Sequence, residues 1–208
     1  MIRTIVFDLG NVLLYFSHEQ MRKQVCELCQ CSLDDVTPLL DPYRGLFFEF
    51  ERGDVSTVEF HQRFEDGLQR PIEYRKLLNA VSDIFTLNTS MRPILQAIRE
   101  QGTRLVLLSN TNAAHIEFAK QQFDLFNDFD AEVLSYEVKS VKPELAIFEA
   151  LFETIHCEPA ECFYTDDTAG HIRAAQELGL DADVFTDSTT FREQLRSRNY
   201  TLPTETSD

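Results

Sequence analysis

The apolar positions of this chain follow one rule at the start, another up to about residue 85, and alternate between the two thereafter. Ile2 to Leu9 is a short β-branched and aromatic run that breaks at Asp8-Leu9-Gly10-Asn11, which predicts a buried strand ending in a turn. From about Ser17 to Phe85 the spacing becomes helical. Helices are expected over Glu19–Cys29, Asp34–Leu40, Leu46–Glu51, Thr57–Leu68 and Ile72–Ile84. The turn Arg52-Gly53-Asp54 leads into Ser56 and Glu59, spaced as a capping box in which each side chain satisfies a free backbone N–H of the other residue.

After residue 85, helical and strand patterns alternate. A helix over Met91–Gln101 stops at Gly102, and Arg104–Ser109 reads as a strand. Then come a helix over Ala113–Phe123, a strand over Ala131–Ser135, and a helix over Pro143–Thr154 with Pro at its first position. A strand over Cys162–Thr165, a helix over Gly170–Leu178 closed by Gly179, and a strand over Ala182–Phe185 complete the series. Strands that alternate with helices imply right-handed crossovers and a parallel sheet covered on both faces. Residues 201–208 read as a frayed polar tail, and there is no internal repeat.

A length of 208 residues suits one large domain, or a domain of ~150 residues carrying an insertion. Nineteen Lys and Arg stand against 35 Asp and Glu, a net charge of −16. That balance argues against nucleic acid, whose nonspecific affinity comes from cationic side chains at phosphates, and against an anionic membrane surface. The apolar stretch Ile5–Phe16 is interrupted by Asp8 and Asn11 and is too short to span a bilayer. Five cysteines, an odd number, fit a reducing cytoplasm. Cys26, Cys29 and Cys31 lack a second ligand pair and lie in or beside a predicted helix, so they read as buried or half-buried thiols rather than a zinc site. Neither a dinucleotide fingerprint nor a phosphate loop ending in G-K-[ST] occurs, so no nucleotide cofactor is expected.

In an open parallel sheet, ligands bind where strands end. The predicted strand ends carry Asp8, then Ser109 and Asn110, then Asp166 and Asp167, with Lys142 opening a helix between the last two groups. Taken singly, each has an ordinary use: Asp8 as a turn cap, Asp166 and Asp167 as caps for the next helix, Lys142 as a solvated lysine. Brought together, three carboxylates must relieve their repulsion by raised pKa values or by a cation, and an all-oxygen donor set suits Mg²⁺. Ser109 has no nucleophile elbow around it and fits better as a donor to an anion.

These residues, in order, resemble the motifs of the haloacid dehalogenase superfamily: Phe7-Asp8-Leu9-Gly10-Asn11-Val12-Leu13, Leu107-Leu108-Ser109-Asn110-Thr111, Lys142-Pro143-Glu144 and Phe163-Tyr164-Thr165-Asp166-Asp167. The D-L-G-N variant, the turn Glu51-Arg52-Gly53-Asp54 and the S-N-T-N continuation look most like the branch that includes bacterial glucose-1-phosphate phosphatases. The resemblance implies an α/β fold, a three-layer Rossmann-like core of residues 1–15 plus 86–200 with an inserted all-helical cap at 16–85. It implies a phosphatase acting on a small phosphorylated metabolite such as a sugar phosphate. Asp8 would be the nucleophile that becomes an aspartyl-phosphate, and Lys142 its catalytic partner. Mg²⁺ would be held by Asp8, the carbonyl of Gly10 and Asp167, with Asp166 beside it, and Ser109, Asn110 and Lys142 would bind phosphoryl oxygens.

Two positions depart from the family pattern. The usual second Asp, a general acid two residues after the nucleophile, is Gly10, and the usual Asn of the fourth motif is His171. A metal-independent 2-haloacid dehalogenase and a catalytically idle domain of the same fold therefore stand as alternatives, although the Asp166-Asp167 pair would repel a haloacid carboxylate. Within the cap, Arg44 and Arg52 could clamp an anion but are expected to pair with neighbouring acids, and Phe47-Phe48 is expected to pack the cap core.

Overall fold

The structure, a computed structural model, describes residues 1–202, so most of the polar tail expected at 201–208 lies outside the described residues. It opens with β1 (Thr4–Phe7), every residue of which is buried. A turn then leads to β2 (Leu14–Phe16), which pairs antiparallel with β3 (Phe85–Leu87), Leu14 opposite Leu87 and Phe16 opposite Phe85. This ribbon was not expected, because three residues per strand are too few to show alternation.

Between β2 and β3 lie α1 (His18–Cys29), α2 (Leu33–Val36), α3 (Gly45–Arg52), α4 (Thr57–Leu68) and α5 (Tyr74–Ser82). Ser17 caps α1 by accepting from the Gln20 N–H, and the Ser56–Glu59 capping box at α4 is formed as expected. α2 stops short of the expected Leu40, since Pro38 has no N–H to continue the helix. Met21, Val25, Phe47, Phe50, Phe60, Phe64, Leu77 and Val81 pack among themselves into a separate apolar core, in which the rings of Phe50 and Phe60 stack at 4.5 Å.

After β3 the chain alternates through α6 (Arg92–Glu100), β4 (Arg104–Ser109), α7 (Ala113–Gln122), β5 (Ala131–Leu134), α8 (Ser135–Val138), α9 (Leu145–Thr154), β6 (Cys162–Asp166), α10 (Ala169–Glu177), β7 (Asp181–Val184) and α11 (Ser188–Ser197). The sheet is parallel, in the order β5-β4-β1-β6-β7. Ile5, Phe7, Leu105 and Leu107 face α6 and α11, whereas Val6, Val106 and Leu108 face α9 and α10. This alternation makes three layers, and it explains why β1 is apolar on both faces. The fold is therefore α/β and Rossmann-like.

Two details differ from expectation. α11 was not foreseen, although Asp187 caps it by accepting from the N–H groups of Thr189 and Thr190, and Phe191 and Leu195 bury one face. Pro143 does not open α9, which begins at Leu145; the Lys142-Pro143 peptide is cis and belongs to the preceding turn. Among the described residues, no helix is long and apolar enough to cross a membrane.

Candidate active site

Because β1 lies between β4 and β6, the residues that follow these three strands converge at one sheet edge. Phe7 is in register with Leu107 and Thr165, and the Asp8 N–H donates to the Thr165 carbonyl at 3.0 Å. Asp8 is thereby held beside the end of β6, where Asp166 and Asp167 stand. Carboxylate oxygens of these three residues all lie within 4.8 Å of one another.

Lys142 reaches into this cluster from the turn before α9. Its buried ammonium donates to Asp8 Oδ1 at 2.7 Å, Asp166 Oδ2 at 2.6 Å and the Leu108 carbonyl at 3.0 Å, which satisfies all three of its donors. Asn110 clamps the turn: its Oδ1 accepts from the Lys142 N–H at 2.7 Å and its Nδ2 donates to the Lys142 carbonyl at 3.0 Å. Asp166 also accepts from the Tyr164 hydroxyl, from the Thr168 N–H at 2.8 Å and from His171 Nδ1 at 3.1 Å. Asp167 accepts from Asn11 Nδ2 at 2.8 Å. Ser109 is buried, and its hydroxyl makes only a 3.4 Å contact to the Asn110 carbonyl.

The electrostatics of the three acids differ. Burial pushes the Asp8 carboxyl up to about 7; Lys142 opposes that rise, and the charges of Asp166 and Asp167 add to it. Asp166 is also buried, yet Lys142 and His171 hold it well below the usual carboxylate range. Burial works against the Lys142 ammonium, but Asp166 and Asp8 outweigh it and raise its pKa. A cation fits this donor set. Both oxygens of Asp166 already accept from side chains or backbone, while Asp8 and Asp167 keep acceptor capacity, and Gly10 lies beside them in the same cavity.

That cavity has a volume of about 480 Å³. The core contributes Asp8, Ser109, Asn110, Lys142, Asp167 and His171; Phe16, His18, Tyr43, Phe48 and Glu51 close it from the other side. A Cβ on Gly10 would stand 2.8 Å from Phe16 Cε1, so the Phe16 ring takes the space in which an acidic side chain at residue 10 would begin. The expected pairings of Arg44 and Arg52 are seen. Arg44 bonds Asp41 at 2.8 Å, and Arg52 bonds Glu144 and lies 3.5 Å from Asp54; neither lines the cavity. Phe47 packs the helical core as expected, whereas its neighbour Phe48 faces the cavity instead.

The end of α3 is fastened to the sheet domain. The Ser135 hydroxyl donates to the Glu51 carbonyl at 2.6 Å, and Gly53 lies so close to Tyr136 that a Cβ there would sit 2.1 Å from its carbonyl oxygen. With φ at +83°, only glycine suits that position. Sequence reasoning missed His18, Tyr43 and Glu51 as cavity residues. Only the E-R-G-D turn carried a signal for any of them.

A family model for haloacid dehalogenase-like hydrolases matches residues 2–179, and the chain belongs to that family. The curated D-ribitol-5-phosphate phosphatase of Bacteroides thetaiotaomicron is 29% identical over 191 residues, which cover 87% of this chain and 90% of the relative. A haloacid dehalogenase family enzyme of the same organism, solved in complex with magnesium and inorganic phosphate, superposes with a TM-score of 0.80 at 25% identity over 89% of this chain and 95% of its own. A predicted haloacid dehalogenase-like hydrolase from Porphyromonas gingivalis gives 0.82 at 25% identity, over 96% and 98%.

Proposed function

We propose that this hydrolase is a Mg²⁺-dependent phosphatase acting on a small phosphorylated metabolite of the sugar- or polyol-phosphate kind, with residues 1–15 and 86–200 as catalytic core and 16–85 as cap. The observation that carries this reading is Asp8 at the end of β1, paired with Lys142 inside a cluster of three carboxylates. The relative named as a D-ribitol-5-phosphate phosphatase and the neighbour solved with magnesium and inorganic phosphate support it.

In the proposed reaction, a carboxylate oxygen of Asp8 attacks phosphorus as the bond to the alcohol oxygen breaks, giving an aspartyl-phosphate and an alcohol that takes its proton from water. Water then attacks the phosphorus, which frees inorganic phosphate and restores the Asp8 carboxylate. Asp8, Asp167 and the Gly10 carbonyl would hold Mg²⁺, which when bound would supply positive charge against the phosphoryl oxygens. Lys142 contributes a second positive charge at the nucleophile, and Asp166 holds it in place. Ser109 donates to a phosphoryl oxygen, and Asn110 fixes the turn that carries Lys142. Three carboxylates at the site disfavour a haloacid substrate, whose own carboxylate they would repel.

Asp8→Asn keeps the shape but removes the nucleophile and an anionic ligand. It is expected to abolish hydrolysis of 4-nitrophenyl phosphate while leaving the circular dichroism spectrum unchanged, and excess chelator is expected to stop the wild type. Full activity in either assay overturns the mechanism.

A further inference from the structure

The cavity has two ends of opposite electrical character. At the sheet edge, Lys142 is its only lysine or arginine among the described lining residues, and that ammonium is already shared between Asp8 and Asp166. Toward the cap the lining is aromatic and imidazole, with Phe16, His18, Tyr43 and Phe48, and its one acid is Glu51. The two arginines that could have reached an anion there pair elsewhere, Arg44 with Asp41 and Arg52 with Glu144. A carboxylate or second phosphate on the alcohol part of a substrate would lose hydration at this end and meet no lysine or arginine there in exchange.

The backbone at Glu51 is fastened to the sheet half of the molecule. Its carbonyl accepts from Ser135, the neighbouring Arg52 is tied to Glu144, and Gly53 rests on Tyr136, so the end of α3 is fixed to the core on three successive residues. Among the described residues, its carboxyl has no hydrogen-bond or ion-pair partner. We infer that the alcohol part of the substrate is uncharged and hydroxyl-bearing, and that Glu51, unpartnered in the cavity wall, selects it by hydrogen bonding to one of its hydroxyls. Burial supports the neutral form, since it pushes this carboxyl up to about 8. The aromatic rings at this end suit the C–H faces of a carbon chain, and a carboxylic acid can both donate to and accept from a hydroxyl. The inference rests on the phosphatase reading and names the substrate class within it.

The test compares kcat/KM of the Mg²⁺-loaded enzyme for glycerol 3-phosphate and 3-phosphoglycerate, which differ in the carboxylate, with 4-nitrophenyl phosphate as a hydroxyl-free reference. The wild type should favour the uncharged ester by ~10-fold or more. Glu51→Gln, which keeps the shape with a donor and an acceptor, should retain that preference. Glu51→Ala should lower the ratio of glycerol 3-phosphate to 4-nitrophenyl phosphate by ~10-fold, and Glu51→Lys should turn the preference toward 3-phosphoglycerate. Equal wild-type efficiency on the two natural-type esters, or an unchanged ratio in Glu51→Ala, overturns the inference while leaving a phosphatase in place. Hydrolysis of none of the three esters overturns the phosphatase reading itself.

Discussion

On the sheet side of the cavity, every charged group meets partners. Lys142 has three acceptors, Asp166 accepts from Lys142, Tyr164, Thr168 and His171, and Asp167 is held by Asn11. On the side of the helical insert, the lining is largely aromatic, with Phe16 against His18 at 5.0 Å, and its carboxyl, Glu51, has no partner among the described residues. The first wall is preorganised for one reaction, since fixed charges aimed at a reacting group stabilise it without rearranging. The second wall can change its residues without disturbing those charges. On the proposed reading, chemistry and choice of substrate are thus divided between the sheet, with its two apolar layers, and the insert, with an apolar core of its own.

The division is broken most severely at Lys142. Lys142→Met leaves two buried carboxylates without their cation, so it should cost about 3–5 kcal/mol in urea unfolding as well as phosphatase activity. A variant that loses activity at unchanged stability would show that the charge serves catalysis alone.

The second expected effect concerns the alcohol oxygen as it leaves. A general acid is worth roughly 10² to 10⁴ in rate, and at residue 10 the Phe16 ring takes the place of one. Across substituted aryl phosphates, kcat/KM should therefore fall steeply as the leaving-group pKa rises, provided that phosphoryl transfer limits the rate. A flat dependence would mean that another residue donates the proton, and repeating the series with His171→Ala would identify that residue if it is His171.

The smallest effect tests the seam between the two halves. His115 on α7 bonds through Nε2 to the Val81 carbonyl on α5 at 3.0 Å, and burial lowers its pKa from 6.5 to about 4. Between those values the unfolded chain binds a proton that the folded chain refuses, so this residue removes stability as pH falls from 6.5 toward 4, by about 3 kcal/mol in all. Asp8 and Glu51, both raised, act in the opposite direction over the same range, because the folded chain takes up their protons first. The His115 contribution is therefore read as a difference: urea midpoints of His115→Gln should fall less between pH 7 and pH 4.5 than those of the wild type. Parallel profiles would show that His115 titrates normally.

Much of this arrangement was legible in the sequence because it rests on local rules. The capping box at Ser56, the glycine stops and the period of each long helix need no knowledge of the partner elements. The strand-end positions of Asp8, Ser109, Asp166 and Asp167, and the place of Lys142 just before the next helix, followed from that reading together with the motifs. What was missed is set by packing. Each strand of the β2–β3 ribbon is three residues long, and its partner lies on the far side of the insert in the sequence. Glu51 and Phe48 sit on a helix whose apolar face alone does not say which wall of which cavity it completes. The contacts of Tyr164 and His171 with Asp166 depend on the sheet edge having already formed.

The register of β1 also carries a consequence for the order of assembly. Thr4 lies opposite Arg104 on one side and Cys162 on the other, so the middle of the sheet closes only when distant parts of the chain meet. The helices of the insert find their neighbours within a much shorter span. Local contacts form fast and long-range pairings slowly, so a chain diluted out of denaturant should gain most of its helical signal before its central strand is enclosed. Asp8, next in line after that strand, should be among the last groups to acquire its surroundings, and regain of turnover should trail regain of secondary structure.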